Sequence, residues 1–180
     1  RLGKMLDEKT RVGEYMRPYL ANVNVQWGRF ALDGLRQMNF KPEDQQEFSL
    51  RFGDVLMCEG GEPGRCAIWK DQLQDCYYQK ALHRIRCNPK HCVPEYVQWL
   101  FWFLGQAGAF RSSIAVATIA HLPGIKLKKL EVPMPSLLLQ TKFAQHVEKV
   151  GEQKYTLQRS AGQLDTLFAS LQHRAFTGTL

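Results

Sequence analysis

The sequence predicts an α+β fold: a globular region with several short strands over residues 1–135, followed by one long helix over residues 136–180. Three observations carry this. Up to Pro135 the text mixes short runs of β-type residues with glycine and proline punctuation. After Pro135 there is no proline and the apolar spacing is helical throughout. Between Phe143 and Ala175 that spacing becomes a heptad seam, with apolar residues alternating at steps of four and three.

The elements follow in order. Pro18 to Phe30 holds β-type residues around a Trp27-Gly28-Arg29 turn and predicts a strand or hairpin. Phe48, Leu50 and Phe52 alternate, which reads as a strand, with a Gly53-Asp54 turn leading to a second strand over Val55 to Cys58. Arg65 to Lys70 is another short strand. Residues 76–88 read as one longer strand, with Gln79, Ala81, His83 and Ile85 on one face and Lys80, Leu82, Arg84 and Arg86 on the other. Pro94 and Glu95 open a helix, as a first turn should, and it runs into Gly105 and Gly108. Residues 111–120 read as a loop or short strand, and residues 127–135 as a strand closed by two prolines.

The seam runs through Phe143, Val147, Val150, Lys154, Leu157, Ala161, Leu164, Phe168, Leu171 and Ala175, and Lys154 is its one polar member. A helix from Gln140 to Ala175 is a rod roughly 54 Å long at about 1.5 Å per residue. A stripe of that length calls for another helix of similar length; folding back on its own globular region is the alternative.

Composition sets limits. The chain has a net charge of +7 and a pI near 9.3, a balance that favours polyanions. Arg1 to Thr10 is polar and lacks a signal peptide's apolar run, and the apolar stretch Trp99 to Leu104 is too short to span a bilayer. The five cysteines form no C-x-x-C pair, which predicts reduced thiols in a cytosol and no zinc site.

The loop Glu59-Gly60-Gly61-Glu62-Pro63-Gly64-Arg65 carries the densest chemistry. It is not a phosphate cradle: Gly64 is followed by Arg65-Cys66 and a strand, where a P-loop needs Lys-Ser/Thr and a helix. The dinucleotide fingerprint fails on glycine spacing. A metal-dependent nuclease needs a Glu-x-Lys after its aspartate, and residue 61 is glycine. Asn88-Pro89-Lys90-His91 lacks the second proline and the aromatic of an adenine methyltransferase loop. No nucleophile–base set is spaced well enough to single out, so no catalytic residue is assigned. A binding hairpin remains: glycines permit close approach, and Glu62 and Arg65 suit the edges of cytosine and guanine. A plain β-turn whose arginine and glutamates pair with each other or with water is the alternative.

Several stretches resemble a target recognition domain and its following helix in the specificity (S) subunit of type I restriction–modification systems. The matching residues are Tyr19-Leu20, Asn22-Val23, Gly53-Asp54-Val55-Leu56, Gly64-Arg65, Tyr78-Gln79, Arg84 and Arg86. Ile119, Leu122, Val132-Pro133-Met134-Pro135, Gln140, Ala175-Phe176, Gly178 and Leu180 complete the set. Ser136 and Leu139 depart from the usual proline and glutamate. A full S subunit carries two recognition domains and two helices, so this chain resembles one half.

The resemblance implies a non-catalytic subunit that recognises one half of a bipartite site in double-stranded DNA. Its helix would pair antiparallel with another, by self-association in a half-length chain. It implies docking to modification and restriction subunits in a bacterial or archaeal cytoplasm. S-adenosylmethionine, ATP and magnesium would sit on those partners, with no cofactor or metal on this chain. Gly53 and Asp54 recur across such proteins and are expected to be structural. Expected DNA contacts are Glu62, Arg65, Gln79, Lys80, Arg111, Ser112 and Ser113, with Lys126, Lys128 and Lys129 on phosphates. The expected seam residues are Phe143, Val147, Val150, Leu157, Ala161, Leu164, Phe168 and Leu171. A coiled-coil adaptor that binds no nucleic acid and an unrecognised DNA-modifying enzyme are the competing readings.

Overall fold

A computed structural model describes residues 1–62, 64–110 and 122–179. It divides into two compact units, Arg1–Gln140 and Thr141–Leu180.

The first unit is built on two small sheets. One has the order β4-β1-β7, where β1 is Met16–Leu20, β4 is Gln37–Asn39 and β7 is Tyr77–Tyr78. Strand β4 runs antiparallel to β1, with Arg17 opposite Met38, and β7 runs parallel to it, with Tyr19 opposite Tyr77. The other sheet is antiparallel, in the order β6-β5-β8, with β5 Val55–Cys58, β6 Cys66–Ile68 and β8 Leu82–Ile85. Leu56 faces Ala67 on one side and Arg84 on the other. A hairpin of β2 (Val25–Gln26) and β3 (Arg29–Phe30) turns at Gly28, whose φ of 70° suits the residue without a Cβ.

Strand β5 lies between two apolar cores. All four of its residues are buried, which is why its sequence is a continuous apolar run rather than an alternation. Leu56 and Cys58 join Leu20, Phe40, Trp69, Tyr78 and Leu82 on one face. Val55 and Met57 pack with Val97, Phe101, Phe110 and Leu122 on the other. Helix α2 (Pro94–Gln106) supplies that second core from Val97 and Phe101, and Leu100 is buried on the same stripe. Pro94 at its start and Glu95 in its first turn are the signals that marked it.

Three sequence expectations are corrected. Residues 76–88 do not form one strand: β7 and β8 are separated by a turn in which Leu82 N–H donates to Gln79 O and Ala81 N–H to Gln79 Oε1. The two strands then join different sheets. Phe48, Leu50 and Phe52 are not a strand either. Phe48 ends a helix, α1 (Pro42–Phe48), begun by Pro42 with Glu43 and Asp44 in its first turn. Arg84 donates to Glu47 O at 3.1 Å and Ser49 O at 2.6 Å, satisfying carbonyls at that helix's end. Residues 127–135 are not a strand: Gly124–Lys128 is a short helix, α3, and the run to Pro135 is irregular. Pro123 caps that turn in extended conformation, and Leu127 and Leu130 pack onto the second core. The expected loop at residues 111–120 lies outside the described residues.

Helix α4, Leu137–Phe176, runs for 40 residues. Its one fully buried residue is Gln140, which lies in the first unit. There Gln140 Oε1 accepts from Val93 N–H at 2.9 Å, and Nε2 donates to Pro135 O at 2.8 Å and His91 O at 3.1 Å. The second unit carries the heptad seam, with Val150, Leu157, Leu164, Phe168 and Leu171 all exposed. Among the described residues no helix is long and apolar enough to cross a membrane.

Two core groups give the first unit an alkaline limit. Burial raises the Cys76 thiol from about 9 to about 12. It also raises the Tyr78 phenol from about 10 to about 12, with nearby Arg84 opposing. Both acids hold their protons more tightly folded than unfolded, so their contribution to stability is complete below pH 9 and is lost as the pH rises toward 12. The urea midpoint is therefore expected to decline between pH 9 and 12, and to do so less in Cys76→Ala.

Candidate nucleic-acid interface

The β6-β5-β8 sheet has two chemically different ends. At one, the chain leaves β5 at Glu59, turns through the glycine loop and re-enters β6 at Cys66. Cys58 N–H donates to Arg65 O at 2.8 Å to close the hairpin. Gly64 has a φ of 90°, and a Cβ there would overlap the Phe110 ring, so only glycine fits on both counts. Glu59 N–H donates to Ala81 O at 2.9 Å, which seats the β7–β8 turn beside the hairpin. Leu122 N–H donates to Glu59 O at 2.7 Å. Phe110 and Leu122, which flank residues 111–121, therefore both meet this one hairpin.

Several of the expected contact residues thus gather at a single sheet end. Glu62 lies in the hairpin, and Gln79 and Lys80 form the adjacent turn. Arg111, Ser112 and Ser113 lie outside the described residues. Lys126 and Lys128 are exposed on α3, which begins two residues after Leu122; Lys129, also exposed, follows it. Gly124 approaches the ring of His83, a buried side chain whose Nε2 lies 3.2 Å from Leu122 O and 3.7 Å from Glu59 Oε1. This packing holds α3 against β8.

Within the hairpin the side chains are already engaged. Arg65 Nη1 donates to Glu62 Oε2 at 3.0 Å and Nη2 to Asn22 O at 3.0 Å, and its side chain is mostly covered. Its guanidinium therefore braces the hairpin. Glu62 stays half exposed and accepts a second bond from Trp27 Nε1 at 2.7 Å. A carboxylate held by two donors is fixed in direction before anything binds. Sequence reasoning did not find Trp27 or Asn22 here. The turn glycine beside Trp27 was visible, but its contact with a loop 35 residues away was not.

The other end of the sheet is an anchor. Asp54 is buried, and its carboxylate accepts from Arg86 Nε at 2.7 Å, Arg86 Nη2 at 2.6 Å and Arg51 N–H at 2.9 Å. Those bonds push the Arg86 guanidinium pKa up, against burial. Both Gly53, in a left-handed turn with a φ of 86°, and Asp54 hold the chain's own structure together.

A further opening of about 990 Å³ lies beside α3, between apolar Phe48, Ile85, Phe101 and Leu130 and the charged Arg84 and Lys128. Among the described residues no group of three or more His, Cys, Asp or Glu side chains is placed to hold a metal ion.

Neither a protein-family model nor a curated protein matches this sequence. Solved structures do match its fold. One is a chain from a study of complex assembly and conformational transition in a type I R-M system, with a TM-score of 0.68 over 100% of this chain at 16% identity. A second is the HsdS subunit from Thermoanaerobacter tengcongensis, with a TM-score of 0.63 over 99% at 17% identity. The fold is that of a type I specificity subunit. The S subunit from M. genitalium matches more loosely, with a TM-score of 0.53 over 84% at 14% identity. This chain spans 43%, 42% and 36% of those three chains, under half the length of each. Within that fold the short-stranded unit and the long helix are both present.

Proposed function

We propose that this chain is a DNA sequence-specificity subunit, or half of one, of a type I restriction–modification enzyme, with no catalytic residues of its own. The observation that carries this is the match of the specificity-subunit fold across the entire chain. The gathering of Glu62, Gln79 and Lys80 at one sheet end supports it. In this reading that end reads one half of a bipartite duplex site, and Lys126 and Lys128 grip phosphates. The exposed seam of α4 pairs with a second helix, and modification and restriction subunits bring S-adenosylmethionine, ATP and magnesium. The complex works in the cytoplasm of a bacterium or archaeon.

The test is selection from a random pool of duplexes by the full chain across a salt series, with and without a modification subunit. The expected result is an enriched bipartite site and an affinity that falls steeply with salt. Lys126→Ala and Lys128→Ala should each reduce the slope of log affinity against log salt by about one and weaken all sequences alike. Gln79→Ala should instead relax the preference at one position, at a cost of roughly 1–3 kcal/mol for the preferred base. A flat salt response with no enriched site would favour a coiled-coil adaptor. Turnover of DNA by the chain alone, with magnesium or S-adenosylmethionine, would identify an enzyme.

A further inference from the structure

Two thiols in the loop joining β8 to α2 stand apart from the other cysteines. Cys92 Sγ lies 3.3 Å from Cys87 Sγ, within thiol hydrogen-bond distance. Both are half-buried, whereas Cys58, Cys66 and Cys76 are buried in the cores. The approach is built by the loop. Asn88 O accepts from His91 N–H and Cys92 N–H, each at 2.9 Å, and Asn88 Oδ1 accepts from Lys90 N–H at 3.0 Å. This turn brings Cys92 back over Cys87 with Pro89 stiffening its middle.

We propose that Cys87 and Cys92 form a redox site that closes to an intramolecular disulfide by exchange with a small-molecule disulfide such as oxidised glutathione. The thiolate of Cys92 attacks one glutathione sulfur, forming a mixed disulfide and releasing one glutathione thiolate. Cys87 then gives up its proton and displaces the second glutathione. Two protein thiols and one glutathione disulfide become one protein disulfide and two glutathione thiols, so the two electrons lost by the cysteines reduce glutathione. Burial and the neighbouring Cys92 raise the Cys87 thiol pKa, which makes Cys87 the weaker nucleophile and leaves the first attack to Cys92.

The position gives the bond a consequence. The loop carries two of the three groups that hold Gln140, namely His91 O and Val93 N–H. A disulfide across Cys87 and Cys92 would staple the seat that holds Gln140, at the end of the first turn of α4.

The experiment equilibrates the full chain with reduced and oxidised glutathione, quenches with N-ethylmaleimide, digests with trypsin and weighs the peptides. Cleavage after Arg86, Lys90 and Arg111 separates the two cysteines, so a bond between them appears as a linked pair of peptides, 87–90 and 91–111. The expected result is a linked pair exceeding glutathione adducts by roughly tenfold or more, because the second thiol is already in place. Cys58, Cys66 and Cys76 should stay alkylatable on unfolding. Cys87→Ser should convert the product to a glutathione adduct at Cys92. Recovery of Cys87 and Cys92 as separate adducts, or both alkylated under fully oxidising conditions, would overturn the proposal.

Discussion

Leu157→Asp combined with Leu164→Asp is expected to leave the chain monomeric at concentrations where the unmodified chain is paired. The two leucines sit one heptad apart on the α4 seam and are 69% and 65% exposed in the single chain. An apolar stripe on a 40-residue helix leaves a large area in water unless a partner covers it. Burying one leucine contributes about 1.5–3 kcal/mol, and a symmetric pair counts each position twice, so the double variant forfeits roughly 6–12 kcal/mol of association. That exceeds four orders of magnitude in Kd on about 1.4 kcal/mol per tenfold. The variant helix itself should persist, since aspartate costs an exposed helix well under about 1 kcal/mol per site. Sedimentation equilibrium with circular dichroism on the same samples separates the two effects. A wild-type chain that sediments as a monomer at tens of micromolar would remove self-pairing, and a variant still paired would place the contact elsewhere. Lys154 interrupts the seam, and a polar seam residue fixes register at some cost in stability. Lys154→Leu is accordingly expected to tighten association and to admit more than one register.

The second large effect is expected at Asp54→Ala. Its buried carboxylate takes three hydrogen bonds, two from Arg86 and one from the Arg51 amide, and removing it deprives all three donors of that partner, leaving Arg86 Nη2 only its longer bond to Ser49 O. Breaking a buried ion pair from one side costs about 3–5 kcal/mol; the partial exposure of Arg86 puts this case at the lower end. The urea midpoint should fall by roughly 1–2 M on an ordinary dependence for a small domain. Asp54→Asn keeps an acceptor for the Arg51 amide and should lose less. Since Asp54 lies at the sheet end opposite the glycine hairpin, DNA binding by the folded fraction should keep its sequence preference. A shift in the preferred site would move Asp54 from anchor to reader, and an unchanged midpoint would show that the pair contributes nothing.

The errors in reading the first unit share one cause. The short strands over residues 77–85 were legible as β-type sequence, yet their division was not. Tyr77 and Tyr78 pair in parallel with Tyr19 and Leu20, nearly sixty residues earlier, while Leu82 to Ile85 pair with β5. Nothing local to the segment names either partner. Helix α1 did carry its own signal in Pro42-Glu43-Asp44, but the alternation of Phe48, Leu50 and Phe52 competed with it. The helix prevails because Phe48 packs in the core and Arg84 takes up its terminal carbonyls. The hairpin shows the same limit. Its glycines and charges mark a turn able to touch a partner. That Arg65 is held by Asn22 and Glu62 by Trp27 depends on the β2–β3 hairpin and the turn before it, both distant in the chain.

Sequence alone determined the long helix, its seam and the basic, motif-poor character of the first unit, because periodicity and composition are local properties that survive without a fold. Only the tertiary structure decided that Glu62, Gln79 and Lys80 share a sheet end while Asp54, Arg86 and Gln140 hold the framework. Those groupings arise from strand pairing between distant segments. Which charged side chain is left facing water depends on which neighbours have already taken its hydrogen bonds.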